Sequence, residues 1–310
     1  MYKEVSIIPS EGLNLEFDCS INANAMLTTK GAEQMFQMGK DLYSRYKSFF
    51  ATEFEKNPSR ALRAVSSPTE RLIESLKSVM NGFLEFASSK PNIQINILDD
   101  VKKNYMFLPV SVYPELKESQ RAAHNHKRKA QFVPGYTEWA AEMEKKCGID
   151  PEDLNLHHVR DYLCSFWTFD MMKLLSGTGV TRTDLEKSER FCSYTVAMET
   201  LNIENGLKLA SAALFQELLR LLKREDESTI CLLSGHDTTI NSIRLALRAL
   251  DFTWPDFAYN VEFELYEEKL TKQLSVLILF NLNPIIVKVI SDQPLIPLEV
   301  FESWIQTEFL

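Results

Sequence analysis

The stretch Ile230–Leu250, ICLLSGHDTTINSIRLALRAL, decides the fold. Ile230 to Leu233 form an apolar run of strand length, and Ser234-Gly235 breaks it. Asp237, Thr238 and Thr239 then offer N-cap oxygens for a helix. Apolar Ile240, Ile243, Leu247 and Leu250 follow at helical spacing. His236 and Asp237 are thereby placed where a strand ends and a helix begins. In an open α/β sheet that edge is the usual ligand crevice. Free N–H groups and the positive end of the helix dipole favour anions there. Taken alone, the pair also fits a capping aspartate beside a turn histidine, so its chemical meaning rests on the rest of the chain.

The chain of 310 residues is long enough for one large domain or two modest ones. Its 34 basic and 43 acidic residues leave a formal charge of −9, which argues against a nucleic-acid binder. The same sign gives no long-range attraction for phosphorylated substrates. Cys19, Cys147, Cys164, Cys192 and Cys231 are scattered and odd in number, a poor disulfide framework. MYKEVSIIPSEG has no apolar run of signal-peptide length. No run approaches the roughly 20 apolar residues of a membrane span. With Met1 as the true start, a cytoplasmic protein is expected; an incomplete N-terminus would leave a secreted or lysosomal one open.

Outward from the central stretch, Lys3–Pro9 reads as a strand and Thr29 to Phe50 as a helix with Ala32, Met35, Leu42, Tyr46 and Phe49 on one face. Asn57–Ser67 leads into Ser67-Pro68-Thr69-Glu70, a capping-box pattern with Pro at the first helical position. Arg71 then falls in the first turn, where a cation opposes the helix dipole at a cost of roughly 0.5 kcal/mol. Either it is solvated, or it points with the free N–H groups at a bound anion. Ile93, Ile95 and Ile97 alternate with polar residues and predict a strand over Asn92–Leu98. Residues 101–199 are polar and helix-leaning, an expected helical insertion between core segments 1–100 and 200–310. Asn205–Glu225 is a long helix. Val261–Tyr266, Leu274–Phe280 and Ile285–Ile290 are strand candidates at a partly antiparallel end of the sheet. Leu298–Thr307 closes the chain as a helix.

Three stretches resemble, in order, the histidine acid phosphatases. LTTKGAEQMFQMGKDLYSRY (Leu27–Tyr46) is similar to their L-T-x-x-G-x-x-Q-x-x-x-L-G-x-x-L-R-x-R-Y helix. AVSSPTERLIESLKSVMNGF (Ala64–Phe83) resembles their R-S-T-D-x-x-R helix start, and LLSGHDTTINSIRLAL (Leu232–Leu247) their S-A-H-D-T-T helix start. The resemblance implies an α/β three-layer sandwich with a central mixed sheet and an inserted helical cap. It also implies a mechanism in which the His of an R-H-G-x-R-x-P motif attacks phosphorus. Arginines and a second His hold the phosphoryl oxygens, and the Asp of the H-D pair protonates the leaving oxygen. His236 matches the second His, Asp237 the proton donor, and Arg71 the arginine of the first helical turn. The implied partner is a small phosphorylated molecule. A homodimer is compatible with the sequence, and no metal or cofactor is expected.

The first strand departs from the pattern. In EVSIIPSEG only Gly12 is kept; Ser10 stands at the first Arg, Glu11 at the nucleophile and Asn14 at the second Arg, while Val65 replaces the Arg that opens R-S-T. A unit charge about 4 Å away is worth roughly 4 kcal/mol at an effective dielectric of 20. Arginines lost and a carboxylate gained therefore weigh against tight binding of a phosphate dianion. A carboxylate nucleophile at Glu11 would need cations or a metal to bring two anions together, and the sequence offers neither; the alternative role for Glu11 is to pair with Arg71 or His236 and fill the emptied pocket. Two readings follow. One is a catalytically impaired pseudophosphatase with a binding or scaffold role. The other is an active acid phosphatase on small phosphomonoesters that uses His236, Arg71 and Asp237.

Other signals read as structural. Gly177-Thr178-Gly179 lacks the third glycine of a dinucleotide loop and is expected to be a turn. His124 with His126, and His157 with His158, lack partners at metal-ligand spacing and read as solvated histidines. Arg121–Lys129 reads as a solvated basic face. Phe166, Trp167 and Phe169 read as packing within the helical insertion, and Cys231 as buried packing in the central strand.

Overall fold

The computed structural model describes residues 3–7, 26–86, 93–107, 109–148, 156–168, 177–225 and 229–310. Four strands, β1 (Lys3–Ile7), β2 (Leu62–Ser66), β3 (Ile93–Ile97) and β4 (Ile230–Ser234), form a sheet in the order β1-β3-β2-β4. β2 runs parallel to both neighbours, with Ala64 opposite Ile95 and Leu232. β1 is antiparallel to β3, pairing Lys3 with Ile97 and Ile7 with Ile93. The sheet is therefore mixed, as expected. β1 finishes at the edge opposite the one where β2, β3 and β4 finish.

β2 was not anticipated; only a lead-in to the next helix was expected there. Its apolar Leu62, Ala64 and Val65 are buried, but Arg63 interrupts the pattern. The structure explains the interruption: Arg63 reaches Glu217 at 3.2 Å. Helices α1 (Thr29–Lys56) and α3 (Glu70–Leu84), separated by the short α2 (Pro58–Ala61), pack on each other through two glycines. A Cβ at Gly39 would lie 1.9 Å from the Val79 carbonyl oxygen, and one at Gly82 would lie 1.9 Å from that of Phe36. Only glycine permits so close a backbone approach.

α3 begins at Glu70, two residues later than the Pro68 start expected, and Thr69 makes no side-chain cap. The Ser67 hydroxyl is engaged elsewhere, exchanging hydrogen bonds with the Asn104 side-chain amide at 3.0 and 3.2 Å. Arg71 remains in the first turn.

The polar segment is helical as expected, with α4 (Pro114–His124), α5 (His126–Phe132), α6 (Tyr136–Cys147), α7 (Leu156–Thr168) and α8 (Arg182–Leu201). Tyr136, Trp139, Phe191 and Cys192 form its buried centre, joined by Trp254 from far along the chain. Phe169 and the side chains of Phe166 and Trp167 lie outside the described residues. Gly177–Gly179 is a turn, with positive φ at both glycines.

α9 (Gly206–Leu222) returns the chain to β4, and α10 (Asp237–Ala246) follows. α10 stops four residues short of Leu250, where Arg248 turns to φ 52°. The final strands form a second sheet instead of extending the first. β5 (Val261–Glu267) pairs with β6 (Leu274–Phe280), and β6 also pairs with β7 (Asn283–Pro284) and β8 (Leu295–Pro297). The expected strand Ile285–Ile290 is a turn closed by the Ile290 N–H on the Val287 oxygen at 2.7 Å. The edge of β6 that it would have used is taken by Leu295–Pro297, with Ile296 opposite Val276. Leu298–Phe309 forms α11, with Phe301, Ile305 and Phe309 buried. No helix among the described residues is long and apolar enough to cross a membrane.

Candidate active site

β2 and β4 are parallel neighbours, and Ser66 lies opposite Ser234 at their C-terminal ends. The helices that follow them therefore start side by side at one sheet edge. Two bonds fasten the starts together. The Ser67 N–H donates to the Ser234 oxygen at 3.1 Å, and the Ser234 hydroxyl donates to the Leu72 oxygen at 2.9 Å. Arg71, on α3, thus stands beside the turn that carries His236 and Asp237.

That turn is built differently from expectation. His236 occupies the N-cap in extended backbone, and its N–H donates to Thr239 Oγ1 at 2.9 Å. The Thr239 hydroxyl donates in turn to the Met106 carbonyl. Thr239 therefore closes the helix start, and the Asp237 carboxylate is left to face other partners. The loop after β3 is drawn in by Asn104, whose Oδ1 accepts from the Met106 N–H at 3.1 Å. It carries Phe107 edge-on to the imidazole of His236, with ring centroids 5.0 Å apart.

Burial pushes the His236 imidazole below its ordinary pKa, and the Arg71 guanidinium adds to the shift, while Asp237 opposes it. Asp237 Oδ2 accepts from the indole Nε1 of Trp254 at 3.0 Å. Arg160 Nη1 lies 3.5 Å from the same oxygen. Arg160 also bonds Asp161 at 2.7 Å and lies over the Trp254 ring at 4.9 Å. The Asp237 side chain is 38% exposed, so the carboxyl remains open to an incoming molecule.

Trp254 is positioned by a buried guanidinium. Arg244 of α10, 2% exposed, donates to the Thr253 carbonyl at 2.8 Å and pairs with Asp251. Arg160, Trp254, Phe107 and Arg244 were not singled out in the sequence. Arg160 and Phe107 belong to stretches without a motif, and Trp254 is brought in by a turn that apolar spacing does not announce.

The structure brings His236, Asp237 and Arg71 to one edge. Glu11, with Ser10, Gly12 and Asn14, lies outside the described residues. Val65 is fully buried within β2. The histidines expected to be solvated have partners: His126 Nδ1 lies 3.2 Å from the Tyr136 hydroxyl and His124 Nε2 lies 2.9 Å from Glu199 Oε1. Within the basic stretch Arg121, Lys127 and Arg128 are exposed as expected, but Lys129 is 1% exposed, and burial lowers its pKa. Cys231 is half-buried, not buried.

Chemically, an imidazole, a guanidinium and an open carboxyl at two helix N-termini suit a phosphoryl group. The first two and the N–H groups meet its oxygens, and the carboxyl can pass a proton to a leaving oxygen.

Comparison with known proteins identifies a family and a fold. The model of the histidine phosphatase superfamily (branch 2) matches residues 6–281. The mouse protein lysophosphatidic acid phosphatase type 6 is 23% identical over 268 residues, which are 82% of this chain and 61% of that protein. The chain thus spans less than two thirds of that relative's length. Among solved structures, the phytase from Citrobacter braakii superposes with a TM-score of 0.62 at 13% identity, covering 92% of this chain and 89% of that one. The Hafnia alvei phytase gives 0.61 at 11% identity, covering 92% and 88%. At these identities the structural matches speak for the fold.

Proposed function

Because the chain belongs to branch 2 of the histidine phosphatase superfamily, we propose that it binds phosphomonoesters at the edge formed by His236, Asp237 and Arg71, with hydrolysis impaired by the replacement of the nucleophile with Glu11. The observation that carries this reading is the pairing of α3 and α10 at one sheet edge, which sets a first-turn arginine beside the imidazole of His236. The acid and anion-binding half of a phosphatase site is supported by that geometry. On the resemblance, Ser10, Glu11 and Asn14 stand where the family carries arginine, histidine and arginine, and on that reading the attacking half is lost. Arg160 adds a cation at the seam, but it is engaged by Asp161 and Asp237.

The same reading makes residues 101–199 a cap over a sandwich core of 1–100 and 200–310, with α1 and α3 on one side of the mixed sheet. The approach of Arg160 from α7 to Asp237 on α10 supports a site at the seam between the two. The exposed Phe107 beside His236 offers an apolar surface for the organic part of a monoester. The name of the mouse relative makes a lysophospholipid phosphate a natural probe beside a simple aryl phosphate.

The test is thermal denaturation with millimolar phosphate or vanadate, since stabilisation follows ligand concentration over the dissociation constant. A shift in the wild type that disappears in Arg71→Ala is the expected result. No shift in the wild type, or one unchanged in Arg71→Ala, would refute an anion pocket at this edge.

A further inference from the structure

Away from the family motifs, three helices of the polar segment bring nitrogen and oxygen donors to one point. His124 ends α4, His157 lies in the first turn of α7, and Glu199 lies in the last turn of α8. One donor atom from each falls within 4.8 Å of the others. His124 Nε2 and Glu199 Oε1 are 2.9 Å apart, and the two imidazole rings have centroids 5.1 Å apart. Glu199 is only 6% exposed, an interior carboxylate that needs a counter-charge.

The His124–Glu199 hydrogen bond accounts for two of the three residues. It does not account for His157, whose ring nitrogens have no hydrogen-bond partner among the described residues. Its ring leans edge-on against Trp254 at 5.7 Å, which fixes its plane. Burial pushes its pKa down to about 4; His124, Arg160 and Lys129 add to the shift and Asp237 opposes it.

We propose that His124, His157 and Glu199 form a binding site for a divalent cation of the zinc class. Two imidazoles and one carboxylate are the donor set of open, three-ligand zinc sites, with a fourth position left to water. Imidazole donors select zinc, copper or nickel over magnesium and calcium, which take oxygen ligands. The surrounding charges set the affinity. Lys129 and Arg160 oppose a cation, while Asp161 and Asp237 offset Arg160. The remaining opposition from Lys129 favours ions that gain most from neutral nitrogen donors. An ion there would tie α4, α7 and α8 together and brace Trp254, the donor to Asp237. The proposal does not rest on the reading of Glu11 or on phosphate binding at the sheet edge.

The test uses the whole chain after chelation and dialysis, titrated with cobalt(II) and followed by visible absorption. One equivalent with the intense bands of a four-coordinate ion is expected. The bands should be lost in His157→Phe, weakened in Glu199→Gln, and kept in His126→Ala and His158→Ala. X-ray absorption of the wild type loaded with one equivalent of zinc guards against variants that fail to fold, and nitrogen and oxygen neighbours alone are expected. A sulfur neighbour, absence of stoichiometric binding, or bands that survive His157→Phe would overturn the proposal.

Discussion

The indole N–H of Trp254 points at the carboxylate of Asp237, 3.0 Å from Oδ2, across 17 residues of sequence. A hydrogen bond to a charged acceptor is worth about 1.5–3 kcal/mol when sheltered, and the partial exposure of Asp237 places this one at the lower end. Trp254→Phe keeps the ring against His157 and Arg160 and removes the donor. It is expected to lower stability by about 1–2 kcal/mol in urea denaturation. In an Asp237→Asn background the same substitution should cost less, because the charge that strengthens the bond is gone.

Stability should fall with acid through His236. Its folded-state pKa lies below the ordinary value, by burial first and Arg71 second. Below about pH 6.5 the unfolded chain takes up a proton that the folded chain resists, so the unfolded state gains. The contribution is fully present above that pH and is lost as pH falls through the folded value. Urea midpoints of the wild type and His236→Gln should therefore converge as pH falls below about 6.5. Arg71→Gln should raise the His236 pKa read by NMR. A value unmoved by that substitution would separate Arg71 from the imidazole.

Asp184 should matter for the fold of the helical segment. It is 1% exposed. Burial pushes its pKa up, but hydrogen bonds from Lys146 and from Thr181 outweigh this and hold it below the usual range. Its carboxylate meets Lys146 Nζ at 2.9 and 3.0 Å and the Thr181 N–H at 2.7 Å, closing the capping box of α8. Asp184→Ala removes the cap and leaves the Lys146 ammonium with Glu142 alone among the described residues, 3.6 Å away. A loss of about 2–4 kcal/mol is expected by urea denaturation. A loss below about 1 kcal/mol would show that solvent replaces these bonds.

How much of this was legible follows from where the information lies. The strand–turn–helix at Ile230–Leu250 could be read because an apolar run, a break and helical spacing all lie within one local stretch. Arg71 could be placed in a first turn for the same reason. β2 was lost because Arg63 breaks the apolar pattern, and its partner Glu217 is more than a hundred residues away. Ile285–Ile290 has the composition of a strand but loses its place to Leu295–Pro297, a competition settled by packing and not by propensity. At the site, His236 and Asp237 carried a motif. Trp254, Arg160 and Arg244 reach them only through tertiary structure. His124, His157 and Glu199 are spread over 76 positions, beyond any local metal-ligand spacing.

The impaired-hydrolysis claim is tested most directly by measuring release of the phenol from a generic aryl phosphate between about pH 4 and 7, the range in which the imidazole and carboxyl groups titrate, with wild type and Asp237→Ala side by side. The account predicts that the two are indistinguishable, because no histidine stands at position 11 to take the phosphoryl group. Turnover by the wild type that Asp237→Ala abolishes would contradict it and make the protein a working phosphatase.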